Sequence, residues 1–213
     1  MSENKDYEKL RELGNPRKPV GEAGKELLKE MNKNHKSLTE FAIGFLNFKA
    51  GCNLLDIGCG GGEALALAAK YNNGSLFGLD YSDTSLEVAR ELNKDLIDSD
   101  KLKLISADVL NIPFADSYID KAISIETFYF WDKPLEALKE IKRVLKPRAH
   151  FVLALDQYNT GELTEDEKSV VEKYKLNIYT LDELQELFNQ AGYQDIRIHT
   201  TKDKPWVVVD AQK

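Results

Sequence analysis

The spacing of apolar residues divides the chain near residue 50. Beyond it, short runs rich in Val, Ile and Leu alternate with stretches of helical periodicity. NLLDI (53–57), SLFGLD (75–80), KLKLISAD (101–108), DKAISIE (120–126) and HFVLALD (150–156) predict strands. EALALAAKY, TSLEVARELNKDLI, PLEALKEIKRVL and LDELQELFNQAG predict helices. Strands and helices in strict alternation predict an α/β chain, with a mostly parallel sheet and helices on both faces. DIRIHT and PWVVVD stand too close together for a crossover helix. They are expected to pair antiparallel at the sheet edge, leaving an antiparallel last strand.

The first 48 residues carry no strand signal. GKELLKEMNKNH and LTEFAIGFLNF each have helical spacing, with His35 between them. LGNPRKPVGEAG is broken by prolines and glycines and reads as a loop. The expected organisation is a dependent helical cap or arm over 1–48, then one domain over 49–213. QYNTGELTEDEKSVVEKYKLNIY (157–179) interrupts the rhythm and predicts a short helix after Thr164. Excursions of this length at the carboxyl edge of a sheet often act as lids. Tyr158, Tyr174 and Tyr179 lie on it, and Tyr7 with the Arg17–Gly24 segment is a second candidate cover.

Composition narrows the reading. At 213 residues the chain can bury one sizeable core but not two comfortable ones. Its net charge is −7, which argues against a nucleic-acid groove. The opening MSENKDYEKL is polar, so no signal peptide is expected, and runs such as FVLAL are far too short to cross a bilayer. Two cysteines, Cys52 and Cys59, make no disulfide framework and favour a reduced, cytoplasmic setting. Three histidines and two cysteines are scattered, without metal-ligand spacing.

The candidate chemistry centres on LLDIGCGGGEA (54–64). An apolar run ends in Asp56, and a loop with four glycines follows. Ligands of open parallel sheets sit beyond the carboxyl ends of the strands, where this loop lies. A dinucleotide fingerprint fails here, because the third small position after Gly58 and Gly60 falls on Glu63. Asp56 would also repel a pyrophosphate. No Gly-Lys-Ser/Thr follows, so a phosphate-binding P-loop is excluded.

The loop has the form D-x-G-x-G-x-G: Asp56, Gly58, Gly60, Gly62. It resembles the first motif of the class I S-adenosylmethionine-dependent methyltransferases. Asp80 ends the second predicted strand and Asp108 the third, at the places where that family keeps its acids. IPFADSYIDKAIS, LKEIKRVLKP and YTLDELQELFNQAGY extend the likeness over residues 50–213. ETFYFWDKPLEALKEIKRVLKP is similar to the ubiquinone/menaquinone-biosynthesis-like, small-molecule branch. The resemblance implies a Rossmann-like three-layer sandwich with a seven-stranded sheet, and transfer of a methyl group from S-adenosyl-L-methionine to a small-molecule acceptor.

It also implies a site. Asp56, Gly58, Cys59, Gly60 and Gly62 would meet the amino-acid end of the cofactor, where an acid favours positive charge. Asp80, with Tyr81 and Ser82 after it, would serve the ribose. Asp108 and Val109 would serve the adenine, and Ile125 would lie close by. On the acceptor side stand Glu126, a base or an amine ligand, and the aromatics Tyr129, Phe130 and Trp131, an acceptor wall or simply core. His35 is a candidate base or a helix cap. Cys59 reads as a small space-filler rather than a nucleophile.

One departure stands out. The family carries Gly-Gly before its fifth strand, where this chain has Arg148 and Ala149. The turn is expected to be built another way. Two other readings use the same loop: a methyltransferase acting on protein or nucleic acid, and a cofactor-binding subunit without turnover. The first lacks a basic surface signature and any N-P-P-Y-like motif after the fourth strand.

Overall fold

A computed structural model describes residues 14–49, 51–161 and 163–213. Tyr7 and the rest of 1–13 lie outside these residues. Seven strands form one sheet: β1 (Leu54–Ile57), β2 (Leu76–Asp80), β3 (Leu102–Ser106), β4 (Ile119–Ile125), β5 (Leu145–Leu155), β6 (Gln194–Thr200) and β7 (Val207–Gln212). Their order is β3-β2-β1-β4-β5-β7-β6. The first five are parallel, and β7 runs antiparallel between β5 and β6. The order reverses between β1 and β4, which opens a crevice at their carboxyl ends.

Side-chain alternation splits the core into two layers. Phe151, Leu153 and Leu155 of β5 face one side of the sheet; Val152 and Ala154 face the other. On the first side pack α5 (Pro134–Val144), through Leu138 and Ile141, and α7 (Leu181–Gln190), through Leu184 and Phe188. On the second lie α1 (Gly21–Ile43), α2 (Glu63–Ala68) and α3 (Asp83–Leu92). Each fully buried Leu or Phe contributes about 2 kcal/mol from the area removed from water. This is the expected three-layer α/β sandwich, with its antiparallel last strand.

Local chemistry sets the element ends. Thr180 caps α7 by accepting the Glu183 N–H while the Glu183 carboxylate accepts the Thr180 N–H. The expected helix over 84–97 breaks at Asn93, whose amide donates to Gly62 O (3.1 Å) and Ala89 O (3.0 Å). A short α4 (Lys94–Asp98) follows. Around the short α6 (Glu165–Tyr174), the 157–179 excursion folds back on the sheet. Tyr158 and Tyr179 pack against the core, and the Asn177 N–H donates to Tyr129 O.

Two expectations at the N-terminal side and the fifth strand are corrected. The two helices foreseen there are one continuous α1, so His35 lies in mid-helix rather than at a boundary. Lys36 and Ser37 carry no helix breaker, and Leu27, Leu28, Leu38 and Ala42 keep one apolar stripe across the supposed gap. The turn before the last part of β5 keeps a left-handed residue, with Arg148 at φ 65°. No other turn type replaces it.

Candidate functional site

A cavity of about 300 Å³ opens at the carboxyl ends of β1, β2 and β4. Its floor is the glycine loop. Gly58 and Cys59 donate their N–H groups to Leu79 O (2.7 and 3.0 Å), which ties the loop to β2. Gly58 has φ 70°, and a Cβ there would come within 2.5 Å of the Thr127 side chain, so only glycine fits. The Asn32 amide of α1 holds the loop from above through Gly61 O, at 3.2 Å.

Three carboxylates mark one side of the cavity. Asp80 accepts the Gly60 N–H on Oδ2 and the Ser82 N–H on Oδ1, both at 2.9 Å. Burial raises its carboxyl, and these two backbone donors work against that rise. Asp56 is 2% exposed, and its Oδ2 has no hydrogen-bond partner among the described residues. Burial first, and the charge of Asp80 second, push its carboxyl up to about 8. Asp108 lies two residues past the end of β3 and accepts the Leu110 N–H on Oδ1 at 2.8 Å.

The other side is built where β4 and β5 end. Glu126 follows β4 at φ 58°, nine-tenths buried. Its Oε1 accepts the Asp156 N–H at very short range, and its Oε2 stands 3.9 Å from His35 Nε2. Burial, reinforced by the Asp156 carboxylate, raises Glu126 well above the usual carboxylate range. Burial lowers His35, which favours the neutral imidazole. The Tyr129 hydroxyl accepts the Gln157 N–H (3.2 Å) and lies 3.1 Å from Asp156 Oδ1.

The residues singled out from sequence divide cleanly. Asp56, Gly58, Cys59, Gly60, Asp80, Tyr81, Asp108, Val109, Ile125, Glu126, Trp131 and His35 all line the cavity. Three do not. Gly62 faces away, and a Cβ there would meet Asn93 at 2.6 Å and Ala89 at 2.9 Å. Ser82 is buried as the cap of α3, its hydroxyl donating to Pro19 O at 3.0 Å. Tyr129 is 4% exposed and sits behind Glu126, while its neighbour Phe130 reaches the wall. Nor do the described residues of 157–179 line the cavity. Pro16, Arg17 and Pro19 do.

That covering segment is pinned at both sides. The Tyr81 hydroxyl donates to Arg17 O at very short range, and Arg17 Nη2 pairs with Asp132 Oδ2 at 2.5 Å. Sequence reasoning missed Leu28, Met31 and Asn32, which with His35 and Thr39 form one stripe of α1 on the wall. It also missed Asp156. Both had a signal: positions three and four apart on one helix, and an acid at the carboxyl end of an apolar strand run, as at Asp80.

The orphaned oxygen of Asp56 is an observation about what the cavity can hold. A buried acceptor left unpaired costs free energy that a ligand's donor or positive charge recovers. The sulfonium and ammonium of S-adenosylmethionine fit such an acid, and the acceptor capacity left on Asp80 fits a diol.

Known proteins share this framework. Residues 55–153 match the family described as a methyltransferase domain. An O-methyltransferase of Pyrenophora dematioidea is 30% identical over 158 residues, covering 70% of this chain and 58% of its own length. A demethylmenaquinone methyltransferase of Staphylococcus saprophyticus is 27% identical over 194 residues, covering 79% of this chain and 81% of its own. The chain spans about half the length of several other curated relatives it matches. Among solved structures, a Haloferax volcanii complex of the Trm112 methyltransferase activator with a putative methyltransferase aligns with TM-score 0.76 and 22% identity. It covers 89% of this chain and 94% of the matched one. Fold, loop and family match agree: residues 55–153 of this chain are a methyltransferase domain, set in the fold of the solved methyltransferases.

Proposed function

We propose that this protein transfers a methyl group from S-adenosyl-L-methionine to a small-molecule nucleophile. The observation that carries the reading is Asp56, a buried carboxylate with an unpartnered oxygen beside a glycine loop. The matched family and the named activities of the relatives agree with it.

In this reading each wall has a task. Asp56 holds positive charge at the amino-acid end, directly or through water. Gly58, Cys59 and Gly60 let that end lie against backbone. Asp80 accepts from the ribose hydroxyls, with Tyr81 beside it. Asp108 and Val109 serve the adenine, and Ile125 closes that side. The bound cofactor supplies an activated methyl on a sulfonium, whose carbon–sulfur bond breaks as the acceptor bond forms. Met31, His35, Glu126, Phe130 and Trp131 orient the acceptor and exclude water. Gly62 and Ser82 support the site from behind, by packing and capping. We place the protein in the cytoplasm; among the described residues no helix is long and apolar enough to cross a membrane. Within the 1–48 arm, the described residues 14–48 act as part of one unit with the domain over 49–213.

The test is calorimetric titration with S-adenosylmethionine and with its demethylated product, with NAD as control. Micromolar binding of both is expected, weakened at least about tenfold by Asp80→Ala, a loss of about 1.4 kcal/mol. Binding of NAD alone, or unchanged affinity in the variant, overturns the reading.

A further inference from the structure

Three side chains from separate elements meet beside the acceptor end of the cavity, where His35 and Glu126 line the wall. His35 comes from the middle of α1, Glu126 from the end of β4 and Asp156 from the end of β5. One nitrogen or oxygen of each lies within 4.8 Å of the others. Ligands of a single divalent cation, each about 2.0–2.5 Å from it, are spaced roughly 3–5 Å apart.

The supporting contacts are those a metal site needs. Glu126 Oε1 is tied to the Asp156 N–H, and Asp156 Oδ1 lies within hydrogen-bond reach of the Tyr129 hydroxyl. Each carboxylate therefore keeps one oxygen for orientation and one for a ligand. Glu126 is nine-tenths buried and aims Oε2 into the cluster, where that oxygen has no hydrogen-bond partner among the described residues. His35 Nε2 is 3.9 Å away, too far for a hydrogen bond but suited to a shared ion. No lysine or arginine among the described residues pairs with either carboxylate. A buried acid and a half-buried one set side by side hold charge only at a cost, which a proton or a shared ion relieves.

We propose that His35, Glu126 and Asp156 form a site for one divalent cation. One imidazole and two carboxylates on one side of an ion, with open positions facing a cavity, suit a hard or borderline metal such as Mg²⁺ or Mn²⁺. His35 and Glu126 share the cavity lining with Phe130 and Trp131. On the methyltransferase reading above, the ion draws in an acceptor with an oxygen to coordinate, a phenol or hydroxy acid, and favours its deprotonated form. The site itself does not depend on that reading.

The experiment is titration of the full chain with Mn²⁺, following the free-ion electron paramagnetic resonance signal. Wild type is expected to take up one Mn²⁺ per chain below about millimolar concentration. Glu126→Gln and Asp156→Asn should each weaken uptake at least about tenfold, the usual loss on removing a ligand or its support. Circular dichroism and melting temperature check that each variant folds. If both variants unfold, quenching of Trp131 fluorescence by Mn²⁺ in wild type, absent in His35→Gln, serves instead. A wild-type chain that leaves Mn²⁺ free, or variants that bind it equally, overturn the proposal; a proton or an acceptor's ammonium then balances the two carboxylates.

Discussion

At Asp56 burial and the neighbouring charge of Asp80 both disfavour the ionised carboxylate. The folded protein holds the carboxyl near 8, far above the ordinary value, so it binds the proton more tightly than the unfolded chain does. The stability this provides is complete below about pH 4 and is lost as pH rises through about 8. The ligand-free protein should melt at progressively lower temperature between pH 5 and 9, and Asp56→Asn should flatten that slope. The same variant should weaken binding of the sulfonium cofactor by about tenfold or more, since the favourable charge is gone. Thermal melts across pH and paired calorimetric titrations check both halves. The buried acid is thus unfavourable in the empty fold and favourable once a cationic ligand arrives.

At the scale of elements, β5 shows how much of the architecture was legible. Its apolar core, HFVLAL, was plain from the run of Val, Leu and Phe. Its start at Leu145, ahead of Pro147 and the left-handed Arg148, was not, because tertiary pairing with β4 overrides the local turn signal. Arg148 adopts φ 65°, a conformation that costs a residue with a Cβ about 1 kcal/mol relative to glycine. Arg148→Gly should therefore raise stability by about 1 kcal/mol in urea unfolding, with cofactor binding unchanged. The sheet-end acids Asp56, Asp80 and Asp108 could be read from sequence because each closes an apolar run. Asp156 closes one too, but its partners lie 30 and 121 positions earlier in the chain, at Glu126 and His35. No spacing rule joins residues brought together only by the sheet order. The same holds for the split of α1 foreseen at His35, where polar residues on the solvent face masked a continuous buried stripe.

At the scale of the whole molecule, the cavity is closed by parts distant in sequence. Pro16, Arg17 and Pro19 lie across it, linked to Tyr81, Ser82 and Asp132. The Asp132 side chain is 77% exposed, so the ion pair contributes little to global stability, below about 0.5 kcal/mol. Its effect should be on exchange. Arg17→Ala should speed release of the demethylated cofactor several-fold in stopped-flow displacement while shifting the melting temperature by less than about 2 °C. Helix α1 adds a consequence of another kind. The wall it gives to the cavity, Leu28, Met31, Asn32, His35 and Thr39, comes from a dozen consecutive residues, all outside the 55–153 stretch that matches the family. Changes in that short segment can reshape the chamber while the strand-end acids stay as they are. Variation in a single helix thus offers a route to new chemistry that leaves the glycine loop and its acids untouched.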